Sequence, residues 1–169
     1  MKSAFKYLVA SLILFQLFVP LTSFAQHDHT GVMPPKTPAL KVRSFDETTW
    51  ANLIKQGPRP AAYLFTTSYC STCPEAFDVL NNAVKKTGKK IDLVAVMMDV
   101  SGTHALRHAN HFSGLTQLYS FDGFEPAIRQ SVDPQWPNVT PYIVLIDRHG
   151  GLQKTIGQPS ASMLKRWLL

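Results

Sequence analysis

The chain has 169 residues, 45% hydrophobic and 17% charged, with a mean hydropathy of -0.03; this fits one globular domain with a sizeable core and excludes disordered, coiled-coil and collagen-like chains. The formal charge of +6 falls to +4 if Lys2 and Lys6 are removed with the N-terminus, and no basic cluster exceeds Lys85-Lys86 or Lys89-Lys90. That is too weak for a nucleic-acid footprint and compatible with acidic protein partners. Cys70 and Cys73, the only cysteines, are too few for a disulfide-stapled scaffold or a four-cysteine zinc site, so they act as a pair.

Lys2 and Lys6 precede an apolar stretch from Tyr7 to Val19, and Ser23-Phe24-Ala25 places small residues where a signal peptidase reads them. Residues 1–25 are thus expected to be a secretory signal peptide that delivers the chain to the periplasm or another extracytoplasmic space. The alternative is an uncleaved membrane anchor, but a span needs about 20 apolar residues and this stretch stops at Pro20. In an oxidising compartment, an isolated cysteine pair becomes a disulfide unless something keeps it reduced.

Residues 26–40 carry His27, His29, Gly31 and three prolines without hydrophobic periodicity, which predicts a flexible tether ahead of a domain over 41–169. Ser44 with Glu47, or equally Asp46, predicts the cap of a helix through Trp50, Leu53 and Ile54 that Gly57-Pro58 ends. Ala61 to Thr66 comes next as a buried strand. From Ser71 the apolar period becomes helical, with Ala76, Phe77, Leu80, Ala83 and Val84 on one side as far as Gly88. Ile91 to Val100 predicts a strand covered on both faces, Gly102 to Phe112 a helix, Leu115 to Phe121 a weaker strand and Glu125 to Val132 a short helix. Asp133 to Val139 is a loop. Tyr142 to Ile146, the turn Asp147 to Gly151 and Leu152 to Ile156 predict an antiparallel hairpin before a helix from Ser160 to Leu169. Alternating strands and helices imply an α/β fold with parallel pairing.

The pair Cys70-Ser71-Thr72-Cys73 therefore falls at a strand-to-helix junction. Unpaired N–H groups and the helix dipole there stabilise a thiolate on Cys70, while Cys73, one turn inward, is placed to resolve a mixed disulfide. Pro74 is tolerated in a first helical turn because its missing N–H has no acceptor to lose. Two other readings stay open. An inert structural disulfide gains little from so small a loop, and half of a metal site would need histidines to complete it.

The order AAYLFT, SYCSTCP, a long helix, IDLVAVMMDV, a helix-strand-helix stretch, VTPYIVLIDRHG and LQKTIG resembles that of the thioredoxin superfamily, and more closely its exported TlpA-like thiol-disulfide oxidoreductases, from about Lys41 to Leu169. The resemblance implies a thioredoxin-like α/β fold: a central mixed sheet, helices on both faces and a TlpA-like helix-strand insertion. It also implies that Pro141 is a cis-proline lying against the cysteines, with Thr140 presenting backbone groups to an extended substrate. Tyr69 stands where relatives usually carry Trp, and the strand entering the motif has no carboxylate where thioredoxins bury one. This leaves proton transfer to Cys73 unassigned. Glu75 is the nearest acid, but its helical position faces solvent. The resemblance implies no organic cofactor. Its implied partners are exported proteins with disulfides, such as apocytochromes in cytochrome c maturation or copper-site proteins, together with a membrane thiol electron donor; the chain is expected to be a monomer.

His104, His108 and His111 recur at i, i+4 and i+7, on one helical face beside Ala105, Ala109 and Phe112, but no carboxylate shares that face and no metal site is assigned. His27 and His29 near a new N-terminus suit Cu(II) or Ni(II), although a polar tail explains them as well. SCO-type copper chaperones share the fold and export but use a CxxxC pair and a histidine near the place of Thr140-Pro141. Copper delivery, and a redox-inert module that keeps the fold, are the alternatives to thiol-disulfide exchange.

Overall fold

A computed structural model describes residues 39–121, 123 and 125–169; the expected signal segment 1–25 and residues 26–38 of the tether, with His27 and His29, lie outside the described residues. The described residues form β1 (Val42–Ser44), α1 (Glu47–Gln56), β2 (Ala61–Thr66), α2 (Cys73–Thr87), β3 (Asp92–Met97), α3 (Gly102–Ala109), β4 (Gln117–Ser120), α4 (Pro126–Val132), β5 (Tyr142–Ile146), β6 (Leu152–Ile156) and α5 (Ala161–Leu168). The strands make one sheet in the order β1-β4-β3-β2-β5-β6. β1, β4, β3 and β2 run parallel, whereas β5 joins β2 antiparallel and β6 completes the hairpin. The expected mixed sheet with helices on both faces is borne out.

Strand alternation divides the apolar residues between two layers. Ala62, Leu64, Leu93, Ala95, Met97, Leu118, Ile143 and Leu145 face α2, α3 and the α5 residue Trp167. Ala61, Tyr63, Phe65, Val94, Val96, Val144 and Ile146 face the other way, toward Trp50 of α1 and Ile128 and Val132 of α4. Every residue of β2 is buried, as a near-continuous apolar run predicts for a strand covered on both sides.

Local boundaries differ from the sequence expectation where hydrogen bonding decides them. Ser44 is drawn into β1 by pairing with Ser120, so Asp46 caps α1. Its Oδ1 accepts from the amides of Thr48 at 2.9 Å and Thr49 at 2.8 Å, and the Asp46 amide donates to Thr49 Oγ1 at 3.0 Å. The Thr49 and Thr48 hydroxyls and amides hold the Asp46 carboxyl below the usual range. Thr49, not Glu47, thus completes the capping box. α2 starts at Cys73 rather than Ser71, and Gly88, at φ 64°, ends it in the left-handed region that glycine takes at little cost. α3 stops at Ala109, short of the expected Phe112. The Arg59–Pro60 and Thr140–Pro141 bonds are both cis.

Trp167 of α5 closes the end of the sheet opposite the cysteines. It is fully buried, and its Nε1 donates to the carbonyls of Ala61 and Ile146, each at 3.1 Å, binding the start of β2 and the end of β5 to one indole. Trp167→Phe keeps most of the apolar volume but removes the shared donor from these carbonyls; a loss of roughly 1–3 kcal/mol is expected, read as a lower urea midpoint at unchanged slope.

Candidate active site

The site assembles at the end of the sheet where β2, β3 and β4 finish and β5 begins. The last antiparallel pair is Phe65 with Tyr142, so the next step along each strand sets Thr66 beside Pro141. On the other flank the Met98 amide donates to the Thr66 carbonyl at 3.0 Å, carrying the parallel β2–β3 pairing past its last rung. The chain then leaves β2 in two consecutive turns, with Cys70 N donating to Thr67 O at 3.2 Å and Cys73 N to Cys70 O at 3.3 Å.

Cys70 and Cys73 are joined in a disulfide, with Cα atoms 5.5 Å apart. Their surroundings are unequal. Cys73, the first residue of α2, is fully buried in the core layer that holds Ala76, Phe77 and Leu80, while Cys70 is only partly buried against that layer. The pair therefore straddles the helix start rather than spanning its first turn, and Cys70 sits in the preceding turn, its Sγ 3.9 Å from Thr72 Oγ1. Thr72, the N-cap, makes no side-chain capping bond, and Pro74 lies in the first turn. The orphan amides of α2 point toward the Cys70 end, where they favour a thiolate. Glu75 is exposed on the first turn.

Tyr69 is 69% exposed and Val139 47% exposed, which leaves apolar surface on both segments that meet at this end of the sheet. Thr140 and Pro141 immediately precede β5, and the Gly157 amide, just past β6, donates to the Pro141 carbonyl at 2.9 Å. The loop before them is braced by contacts that the sequence did not reveal. The Trp136 ring stacks on Tyr142 with centroids 4.3 Å apart, and its Nε1 donates to the Val139 carbonyl at 3.0 Å. The Tyr142 hydroxyl donates to Asp133, which also pairs with Lys154 of β6 at 3.1 Å. Burial alone would raise the Asp133 pKa, but hydrogen bonds from the Tyr142 hydroxyl, the Gln135 amide and Lys154 outweigh it and hold the carboxyl below its usual range. Burial, and after it the bond to Asp133, pushes the Tyr142 hydroxyl upward.

A second residue that sequence reasoning missed is Asp99, just past β3. Its carboxylate accepts from Ser68 N at 2.9 and 3.0 Å and from Ser68 Oγ at 2.6 Å, two residues before Cys70. The available signal was an acid just after the apolar run Leu93 to Met98; for the other loop it was a tryptophan inside a proline-containing segment. The histidines do not form the expected face. α3 ends at Ala109, so His111 falls beyond the helix; the His108 and His111 rings are 6.3 Å apart, and His104 is exposed. Among the described residues no three His, Cys, Asp or Glu side chains converge to hold a metal, and no helix is long and apolar enough to cross a membrane.

Because the folded pKa of Asp133 is depressed, its contribution to stability is complete above the unfolded-state value of about 3.9 and is lost as pH falls through the lower folded value. Asp133→Ala should therefore cost roughly 1.5–3 kcal/mol near pH 6, as expected for hydrogen bonds to a charged group, and progressively less below pH about 3. Urea unfolding of both proteins across that range checks the convergence.

The sequence matches no protein-family model and no curated protein sequence. Among solved structures, the chain is similar to DsbF of Mycobacterium tuberculosis (20% identity, 64% of this chain and 78% of that one, TM-score 0.46). It is also similar to a secreted disulfide oxidoreductase of the same organism homologous to Escherichia coli DsbE (17%, 64% and 79%, TM-score 0.48) and to StoA of Bacillus subtilis (18%, 64% and 81%, TM-score 0.43). The fold itself rests on this chain's own topology: a parallel β1-β4-β3-β2 half, an antiparallel β5-β6 hairpin, a cysteine pair that straddles the start of α2 after β2, and a cis-proline just ahead of β5, in register with Thr66, make it a thioredoxin-like fold.

Proposed function

We propose that this protein is an extracytoplasmic thiol-disulfide oxidoreductase that reduces disulfides in exported proteins, with Cys70 as nucleophile and Cys73 as resolving thiol. The observation that carries this reading is the unequal burial of a bonded cysteine pair at a helix start: Cys70 reaches the surface and Cys73 does not. An incoming disulfide can meet only the outer sulfur, and the inner one is held within bonding distance of it.

In the reduced protein, the Cys70 thiolate attacks one sulfur of the substrate disulfide; a mixed disulfide forms, and the other substrate sulfur leaves as a thiolate that takes up a proton. Cys73 gives up its proton, attacks Cys70 Sγ and expels the second substrate sulfur as a thiol. The substrate gains two electrons and two protons, and the protein is left with the disulfide seen in the structure. A second dithiol, supplied by a membrane-bound donor, must reverse this for another turnover. Two thiols carry both electrons, so no organic cofactor is required. Thr140 and Pro141, with Tyr69 on the facing segment, are the groups proposed to hold the substrate polypeptide beside Cys70; pairing to an extended segment there is a form of strand addition. The signal-like segment 1–25 supports export, and the TlpA-like resemblance points to apocytochromes or copper-site proteins as substrates.

After reduction, Cys70 should be alkylated first at mildly acidic pH, about tenfold faster than Cys73; peptide mapping reads the order, and preferential labelling of Cys73 reverses the roles. Replacing the resolving thiol in Cys73→Ala should leave substrate bound through Cys70 as a mixed disulfide that reductant releases. A variant that traps nothing, with a wild type that leaves disulfides intact, would mean a redox-inert module.

A further inference from the structure

We propose that Asp99 is a positioning residue for the cysteine loop, acting through Ser68, and that it sets how strongly Cys70 and Cys73 prefer the disulfide; the mechanistic use of that preference rests on the function proposed above. β2 and β3 pair in a fixed parallel register, Thr66 opposite Met97, and the Met98 amide still reaches the Thr66 carbonyl at 3.0 Å. Continued two residues further, the same register sets Ser68 opposite Asp99. At that step the backbones part, and the Asp99 carboxylate takes over as acceptor, receiving Ser68 N at 2.9 and 3.0 Å and Ser68 Oγ at 2.6 Å. The side chain extends the ladder by one rung after the strands have ended.

The cysteine loop depends on that rung. Beyond Ser68 the chain is tied mainly to itself: Cys70 N to Thr67 O, Cys73 N to Cys70 O, and Ala76 N to Thr72 O. Among the described residues, the three bonds to Asp99 are the hydrogen bonds that join segment 68–72 to a neighbouring strand's end. Cys73 is immobilised separately, by full burial at the start of α2. Cys70 has no such packing on its outer side, so its distance from Cys73 in the dithiol state is governed by the loop, and the loop by Asp99. Releasing the loop lowers the effective concentration of one thiol at the other, which weakens the disulfide relative to an intermolecular couple. Hydrogen bonds to a carboxylate are stronger than neutral ones, which suits an anchor at a half-exposed edge.

The test is equilibration of the full chain with glutathione: the protein disulfide and two glutathione thiols exchange to give the protein dithiol and one oxidised glutathione, with electrons and protons balanced. Asp99→Ala should raise this constant about tenfold, equivalent to about 30 mV for a two-electron couple. Asp99→Asn retains an oxygen acceptor for Ser68 N and an amide donor for Ser68 Oγ, and should return the constant to within about threefold of wild type. Ser68→Ala, which removes one of the three bonds and leaves the amide, should shift it in the same direction by about threefold; it keeps the test decisive if Asp99→Ala does not fold by circular dichroism. Constants at the wild-type value in Asp99→Ala or in Ser68→Ala overturn the proposal, and so does an Asp99→Asn constant equal to that of Asp99→Ala, which would assign the effect to charge. The wild-type constant is readable whether or not the protein acts on polypeptides. Failure of the wild type to accelerate insulin reduction by dithiothreitol overturns the reductase function alone, and the variant constants still decide the role of Asp99.

Discussion

Because β2 runs parallel to β3 and antiparallel to β5, its carboxyl end meets the carboxyl end of one neighbour and the amino end of the other. This mixed pairing is the constraint that sets the site's layout. The parallel neighbour contributes Asp99, which reaches the departing chain from the side, and the antiparallel neighbour contributes Pro141 and the segment before it. Pro141 could not arrive there if β5 were parallel, since its amino end would then lie at the opposite edge, beside Trp167. The crossover helix that joins two parallel strands supplies the third component: α2 begins where β2 ends and brings its orphan amides to the cysteines.

Packing then makes two chemically identical side chains unlike. Cys73 belongs to the layer of Ala76, Phe77 and Leu80, where close packing leaves a side chain little freedom, whereas Cys70 is held in a turn by backbone bonds and by the Ser68–Asp99 contact. A rigid inner cysteine and a tethered outer one are the physical basis for the distinct roles proposed for them, resolving and attacking. The facing loop is stiffened by different means. Trp136 stacks on Tyr142 and holds the Val139 carbonyl, and Asp133 gathers Tyr142 and Lys154, so the segment leading to Thr140 and Pro141 is braced on both sides although it contains no regular structure. The Val139 and Tyr69 side chains keep much of their apolar surface in solvent.

Much of the fold was legible because period and composition carry it. The nearly continuous apolar run Ala61 to Thr66 announced a buried strand, and the helical spacing of Ala76, Phe77 and Leu80 announced α2. The sequence was ambiguous where competing hydrogen bonds decide a boundary. Ser44 and Asp46 are both good caps, and the pairing of β1 with β4 removed Ser44 from the competition. The histidine spacing suggested a common face, but the helix ends at Ala109 and the chain goes on in tight turns, His111 N to His108 O and Phe112 N to Ala109 O, that still bury Phe112. A periodic pattern records which side chains turn inward and does not record where the backbone stops coiling.

By itself the sequence determined the alternating α/β order, the hairpin at the carboxyl end and the placement of a cysteine pair at a strand-to-helix junction, because each of these is encoded within a window of about ten residues by local periodicity and turn chemistry. Only the tertiary structure decided that Asp99 meets Ser68, 31 positions away, and that Trp136 and Asp133 brace the segment before Pro141. Those outcomes depend on strand order and register, which are properties of the assembled sheet: a carboxylate at the end of an apolar strand is a solvated charge or an anchor according to which neighbour ends beside it.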